Sequence, residues 1–506
     1  MTGNHYDTII IGSGMGGLLC GSILSREGMS VCILEKNSVP GGASQSFRRK
    51  GTEFDTGIHY IGGMDDGQNL NRYFRYFGLT EKLRLRQLNK DRFDVIAVGD
   101  DEYPLAQGFD NFIDQLLPCF PDQKESLQSY IETLQKISNT FSLYNLQIPK
   151  KDHSEDIFRN QSAYKYFYSL TSSIQHPASS IQHQASLSSV LAGNNLLYAG
   201  NKEKTPLHIP SLINHSFISS AWRLVGGSRQ ISDILVDSIK RAGGVVKVNT
   251  EAKRIFHNEN GFTIKCDGKE QLSCKRLIAA IHPQPALGLM DHSLFRKAYY
   301  QRILSLENTS GSFALYITLK ENSFDYLDFN FYGHRTNDVW NEYGSGQWPS
   351  GYMLHTLASG ESDNFAKSLI IMTYMDFRDV ERWKNTYTGR RDPSYYEFKE
   401  EKANQLLDLV ELKFPHLRRR IAYMEASTPL TWRDYTGTPC GSMYGIQRDY
   451  HDATGTIVFP KTKINGFYFT GQNVNLHGVL GVTIGAVMTC SEILGYEYLL
   501  KKIRNA

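Results

Sequence analysis

The sequence predicts an α/β fold, a parallel sheet carrying a glycine-rich turn, into which an α+β body of mixed sheet and helices is interleaved. Three observations carry this. The chain opens on an apolar run, residues 6–11, that enters Gly12-Ser13-Gly14-Met15-Gly16-Gly17 and reaches a second apolar run, 30–34, ending in Glu35. The same alternation resumes after about 220, with Val225-Gly-Gly-Ser228, a helical pattern and the apolar run 276–281. It returns at 466–470, followed by a glycine-rich turn and a helix.

The first of these stretches carries the most chemistry. Strand, Gly-x-Gly-x-x-Gly turn, helix, second strand and terminal acid together form a Rossmann-type dinucleotide-binding unit. Gly12 permits the tight turn, Gly14 lets the backbone approach a pyrophosphate, and Gly17 lets the helix lie close to the strand. The helix N-terminus presents amides and a favourable dipole to the phosphates. Glu35 is placed to accept both hydroxyls of an adenosine ribose and would repel a 2′-phosphate, which excludes NADP as the resident nucleotide. Ser13 belongs to the turn, and Lys36 and the pair Gly41-Gly42 follow the acid, as suits a loop pressed against a bound cofactor.

Composition narrows the class. A net charge of +3 over 506 residues argues against nucleic acid as a partner. The seven cysteines (20, 32, 119, 266, 274, 440, 490) show neither CxxC nor metal-ligand spacing, so no metal site is read and they appear as reduced core residues of a cytoplasmic chain. Tyr6 already begins the fold, which leaves no room for a signal peptide, and no apolar run reaches the length of a membrane span.

Along the chain, 51–63 is rich in glycine and holds Asp55, His59 and Tyr60. From about Arg72 the pattern turns helical, and 122–142 spaces Leu127, Tyr130, Ile131, Leu134 and Ile137 for one helix face. Residues 150–215 read as helices and loops over a pocket. Residues 229–243 read as a helix, 245–248 as a strand ending at Val248, and 251–266 as a hairpin. In the second insertion, about 295–455, strands are expected at 313–319 and 369–374 and a helix at 396–414. Residues 428–435 and 441–445 read as loops. A helix runs from the turn at 471–486 to about 500. Gly478, Gly481 and Gly485 give that segment a second backbone-only contact surface, which the long flavin half of FAD needs and a simple NAD enzyme does not. Gly344-Ser-Gly346 is not followed by a helix pattern, so NAD(P)H enters at most as a transient donor.

Together these residues resemble the FAD-dependent amine-oxidase-like superfamily, within it the branch of phytoene desaturases, carotenoid isomerases and retinol saturases. The run Asp55-x-Gly57-Ile-His59-Tyr60-Ile-Gly62 is similar to the saturase and isomerase side, and Thr428-Pro429 through Tyr444-Gly445 also looks like this branch. The resemblance implies a glutathione-reductase/amine-oxidase type of fold. Residues 1–75, 220–295 and 455–506 would bind FAD non-covalently. Residues 76–219 and 296–454 would form the substrate body with a helical lid. FAD would lie across Gly12, Ser13, Gly14, Gly17, Glu35, Lys36, Gly41 and Gly42, its adenine near the strand ending at Val248 and the turn after it, and its flavin near Gly471, Gln472, Val479, Leu480, Gly481 and Val482. Gln472 departs from the superfamily's usual aspartate; its amide still accepts from a ribityl hydroxyl.

The resemblance further implies a hydrophobic, isoprenoid-like polyene as substrate. The expected reaction is saturation of a carbon–carbon double bond, with His59 as first candidate proton donor, Tyr60 as second and His477 as third. Desaturation or cis/trans isomerisation with FAD, a flavin-free prenyl-binding chaperone and an amine oxidase are the rival readings. The electron donor is not specified by the sequence, and peripheral membrane contact is inferred from the substrate class alone.

Overall fold

A computed structural model describes residues 4–150, 152–172, 185–340, 347–360 and 364–506. The Gly344-Ser-Gly346 motif and part of the 150–215 stretch lie outside the described residues.

Two seven-stranded sheets organise the chain. In the first, Val245–Lys247, Val31–Leu34, His5–Ile11, Gln271–Ala279 and Phe467–Phe469 run parallel in that spatial order. Gln271–Ala279 also pairs antiparallel with Gly261–Cys266, which pairs with Ala252–Asn258. The period of two along the first strand divides its isoleucines. Ile9 and Ile11 join one core, Ile10 the other. On Ile10's face lie the helices Met15–Arg26, Arg229–Arg241 and Gly478–Leu494, the first packed against each of the other two. Ile231, Leu235 and Ile239 are wholly buried at i, i+4, i+8, which fixes the inward face of the second helix.

The second sheet runs Ile421–Ser427, Gly311–Leu319, Ser368–Met375, Gly351–Thr356, Asn330–His334, Asp94–Val98, Asp101–Leu105. One face packs on Pro393–Val410. The other is roofed by Lys124–Thr140, Ala163–Ser172, Leu187–Leu191 and His208–Ser219. A small sheet, Ile61–Gly62 with Ala221–Leu224 and Leu85–Gln87, sits where the loop after the first glycine region meets the roof.

Three readings of the sequence change. Beyond the helix Asn69–Phe77 the chain is not all helical, because Leu85–Gln87, Asp94–Val98 and Asp101–Leu105 are strands, the last two a hairpin about Gly99-Asp100. Residues 428–435 are not a loop. Pro429–Thr436 is a helix capped by Thr428, whose hydroxyl accepts from the Leu430 amide while Thr431 Oγ1 accepts from the Thr428 amide. The C-terminal helix is not continuous to 500; it ends at Gly495, φ +93°, and Tyr496–Arg504 starts anew.

Candidate active site

The turn after the first strand behaves as its glycines dictate. Gly12 has φ +98° and donates its amide to the Leu34 carbonyl at 2.8 Å. A side chain on Gly17 would run into the Gly12 carbonyl oxygen, so the helix lies on the strand only because that side chain is absent. A Cβ on Gly16 would stand 2.7 Å from the Gly471 Cα, which seats the C-terminal turn directly on the first helix. Gly14, at the helix N-terminus, and Gly471 differ from these. A Cβ on either would meet nothing within 4 Å, and both line a cavity of about 1030 Å³.

Glu35 closes one end of this cavity. It is 5% exposed; one carboxylate oxygen accepts from the Ser13 amide at 3.1 Å and the Ser13 hydroxyl at 2.5 Å, the other from the Asn37 amide at 2.8 Å. Ser13 is itself fully buried and does not reach the cavity; its part is to aim Glu35. Gly41 donates to the Ser13 carbonyl at 2.9 Å, and a Cβ on it would meet Ser232 Oγ at 2.7 Å. Gly42 lies so close to Gly14 that a Cβ on it would stand 3.0 Å from the Gly14 Cα. Lys36 donates to the Asp434 carbonyl at 2.8 Å and Asn37 to the Tyr435 carbonyl at 2.9 Å, tying this loop to the capped helix. Val248 points to solvent, 36% exposed, and does not line the cavity; Thr250 and Glu251, one turn on, do.

From Glu35 the cavity passes Gly14, Gly42, Gly471, Gln472 and Val479, Leu480, Gly481 and Val482, and continues without a break into an apolar chamber. Leu212, Phe217, Met353, Met372, Met443 and Tyr444 wall that chamber. The groups at the junction are His59, Tyr60 and His477, which all line it.

His59 packs on His355 with ring centroids 4.4 Å apart, and its Nδ1 is buried without a partner. Burial and the Arg223 guanidinium pull its pKa down to about 4, so the imidazole is neutral at physiological pH. His477 stacks on the Tyr444 ring at 4.2 Å with both nitrogens buried and unpartnered, and burial with Arg448 beyond it takes its pKa to about 3. The Tyr60 hydroxyl stands 2.9 Å from Asp94 Oδ2 and 2.8 Å from the Tyr332 hydroxyl. Asp94 and Tyr332 escaped the sequence reading, since no motif surrounds them. An acid opening an otherwise apolar strand, Asp94-Val-Ile-Ala-Val98, is the signal that could have marked the first.

The donor set fits a flavin dinucleotide. Open space over Gly14 and Gly471, a helix N-terminus and an oriented, buried carboxylate are what the pyrophosphate and ribose require. The sequence matches the family model of flavin containing amine oxidoreductases over residues 15–494. The chain belongs to that family. It is 24% identical to the all-trans-retinol 13,14-reductase of Danio rerio, an alignment covering 96% of this chain and 86% of the relative. It is 24% identical to prolycopene isomerase 2, chloroplastic, of an Oncidium hybrid cultivar, over 97% of this chain and 85% of that one. Among solved structures it shares the fold of putrescine oxidase (TM-score 0.64, 15% identity, 97% of this chain and 99% of the other). Cyclohexylamine oxidase from Brevibacterium oxydans is similar at TM-score 0.62 and 16% identity, over 98% and 99%. This family member is therefore a flavin-dependent oxidoreductase.

Proposed function

We propose that the protein is an FAD-dependent reductase that saturates a carbon–carbon double bond of a hydrophobic, isoprenoid-like polyene. The observation that carries the reading is the single cavity, continuous from the dinucleotide turn into a chamber walled by Leu212, Phe217, Met353, Met372 and Met443. Such walls orient an apolar chain and exclude water. The relatives named as a retinol reductase and a prolycopene isomerase support the same substrate class.

Glu35, aimed by Ser13, with the helix N-terminus after Gly14, would hold the adenosine and pyrophosphate, and Gly471, Gln472 and Val479 to Val482 would hold the flavin half. Reduced FAD supplies hydride-transfer chemistry when bound. The protein's remaining task is the proton. His59 and His477 are neutral and hold no ionised proton to give. Tyr60 has an O–H already hydrogen-bonded to a carboxyl, and it is assigned the donor role. His59 is left to orient. The reductant of FAD is external, with NAD(P)H at most a transient encounter.

Among the described residues no helix is long and apolar enough to cross a membrane. Peripheral contact with a lipid surface that carries the polyene is part of this reading and follows from the apolar substrate class alone.

The test is anaerobic. The FAD-loaded protein is reduced with dithionite and mixed with all-trans-retinol. A product two mass units heavier supports saturation. An isomer of unchanged mass supports the isomerase reading instead, and a protein that cannot take up FAD supports a lipid-binding chaperone.

A further inference from the structure

Asp94 is the least explained buried group in the molecule. It opens the strand Asp94–Val98 with no exposure at all, ahead of four apolar residues, its sheet partners being Leu105 on one side and Asn330 on the other. Asn330 Nδ2 donates to its Oδ1 at 2.9 Å, and the Tyr60 hydroxyl stands 2.9 Å from its Oδ2. The nearest cation, Arg223, reaches it only through Asn330, whose Oδ1 takes the guanidinium at 2.9 Å. The other hydrogen bonds of Arg223 go to the Leu327 and Phe329 carbonyls, the Tyr326 hydroxyl and Thr356 Oγ1, and its Nε is buried without a partner. A purely structural hydrogen-bond acceptor here could be an asparagine. A carboxyl adds one property, a removable proton.

We infer that Asp94 holds a proton for the cavity and delivers it through Tyr60. The inference rests on the reductive reading of the site given above. Tyr60 lines the cavity with its ring and joins Asp94 and Tyr332 at its oxygen, so the three groups can carry the proton in either arrangement. With Asp94 ionised, Tyr60 donates to it and Tyr332 donates to Tyr60. With Asp94 protonated, its O–H donates to Tyr60, whose own proton is freed toward Tyr332 or the cavity.

The reductive step then balances. As the carbon–carbon π bond breaks, one carbon would take the hydride that bound reduced FAD supplies, and its neighbour takes the Tyr60 proton. Tyr60 recovers a proton from the Asp94 carboxyl, and Asp94 recovers one from water. The two electrons come from the external reductant of the cofactor. Tyr60 never has to persist as a phenolate, which its burial opposes.

Burial raises the Asp94 carboxyl to about 7, against the hydrogen bonds of Asn330, Tyr60 and Asn194 and the positive field of Arg223. The other titratable groups facing the cluster hold their state through neutrality. The phenols of Tyr60 and Tyr332 are pushed up, and His59 and His355 are pulled down. Asp94 is the group poised to exchange a proton at neutral pH.

The experiment uses the FAD-loaded, dithionite-reduced protein, its Asp94→Asn and Tyr60→Phe variants, and all-trans-retinol as probe. Loss of a general acid predicts retinol reduction slowed about 100-fold or more in both variants, with reoxidation of the reduced flavin by oxygen within about twofold of wild type. Wild-type turnover falls as pH rises through about 7, and Asp94→Asn loses that limb. A second readout needs no FAD: between pH 5 and 9 the wild type loses the infrared bands of two buried protonated carboxyls, Asp55 and Asp94, and Asp94→Asn lacks one such band, the component that titrates near 7. If wild type and Asp94→Asn reduce retinol equally, or that band does not titrate, the Asp94 inference is overturned while the reductase reading stands. If the wild type leaves retinol untouched while the band titrates, the reductase reading falls and the delivery role falls with it.

Discussion

The Gly12 carbonyl oxygen occupies the space where a side chain on Gly17 would begin, so the first helix and first strand touch backbone to backbone. Five residues apart in sequence, the two glycines set the distance between the strand end and the helix N-terminus that faces the cavity. Gly17→Ala forces the helix off the strand at an overpacking cost of about 1–3 kcal/mol. The displaced turn is expected to weaken FAD binding by roughly 5- to 100-fold. The flavin-to-protein ratio after purification, with the melting temperature beside it, checks this; a fully loaded Gly17→Ala protein would contradict it.

Glu35 offers the next prediction. Its two oxygens accept from Ser13 and from Asn37, so the carboxylate is an acceptor on both sides. Glu35→Gln puts an amide donor against one of these donors. A buried donor left unpaired costs about 1–3 kcal/mol, and FAD affinity is expected to fall roughly 10- to 100-fold. Titrating the apoprotein with FAD and following flavin fluorescence gives the number. NADP binding should not appear in the variant, since Lys36 is held by the Asp434 carbonyl.

How much of this was legible in advance depends on the range of the interaction. The dinucleotide turn announced itself because Gly12, Gly14, Gly17 and Glu35 act through backbone geometry within one strand–helix–strand unit. The C-terminal turn was legible for the same reason. The helix Pro429–Thr436 was missed although Thr428-Pro429 and Thr431 spell its cap, because turn-forming residues on both sides obscured a short element. The Tyr60–Asp94–Tyr332 cluster was legible only in part. Two of its members lie on strands joined by sheet pairing, Asp94–Val98 parallel to Asn330–His334, and Tyr60 reaches them from the loop ahead of Ile61–Gly62; neither the pairing nor that approach has a local signature. At the adenine end the turn after Val248 supplies Thr250 and Glu251 to the cavity, while Val248 itself faces solvent because the strand ends at Lys247 and the chain bends at Asn249, φ +49°.

Asp55 carries a prediction about stability and pH. One of its oxygens, Oδ1, accepts from the Ser228 amide at 2.6 Å, the Ser228 hydroxyl at 2.9 Å and the Ser46 hydroxyl at 3.0 Å, pinning the 225–228 turn to the Ser46–Arg49 hairpin. Burial nevertheless raises its pKa to about 6 from 3.8. The folded protein therefore holds this proton where the unfolded chain has lost it. Its contribution is complete below about pH 4 and disappears as pH rises through about 6. A shift of this size corresponds to about 3 kcal/mol. Asp55→Asn keeps an acceptor in place and removes the titration. The melting temperature of wild type minus that of Asp55→Asn should decline between pH 4 and pH 6.5, a difference in which Asp94 cancels. A flat difference would show that the carboxyl titrates normally.

His59 separates orientation from proton transfer. Its pKa of about 4 leaves it neutral at pH 7, its ring rests on His355, and its Nδ1 has no partner among the described residues. A neutral imidazole whose neighbour is also uncharged can position a group by a hydrogen bond, but a proton given from it would leave an imidazolate that nothing nearby stabilises. His59→Gln preserves one hydrogen-bonding edge. Turnover of all-trans-retinol is expected to stay within about threefold of wild type, since a neutral hydrogen bond contributes only about 1 kcal/mol. The pH profile should be unchanged, with any loss appearing in KM. Tyr60→Phe on the same assay should lose its turnover while keeping its FAD. If instead His59→Gln abolishes turnover with FAD content intact and Tyr60→Phe does not, the proton comes from the histidine, and the buried carboxyl behind Tyr60 serves only to hold the wall.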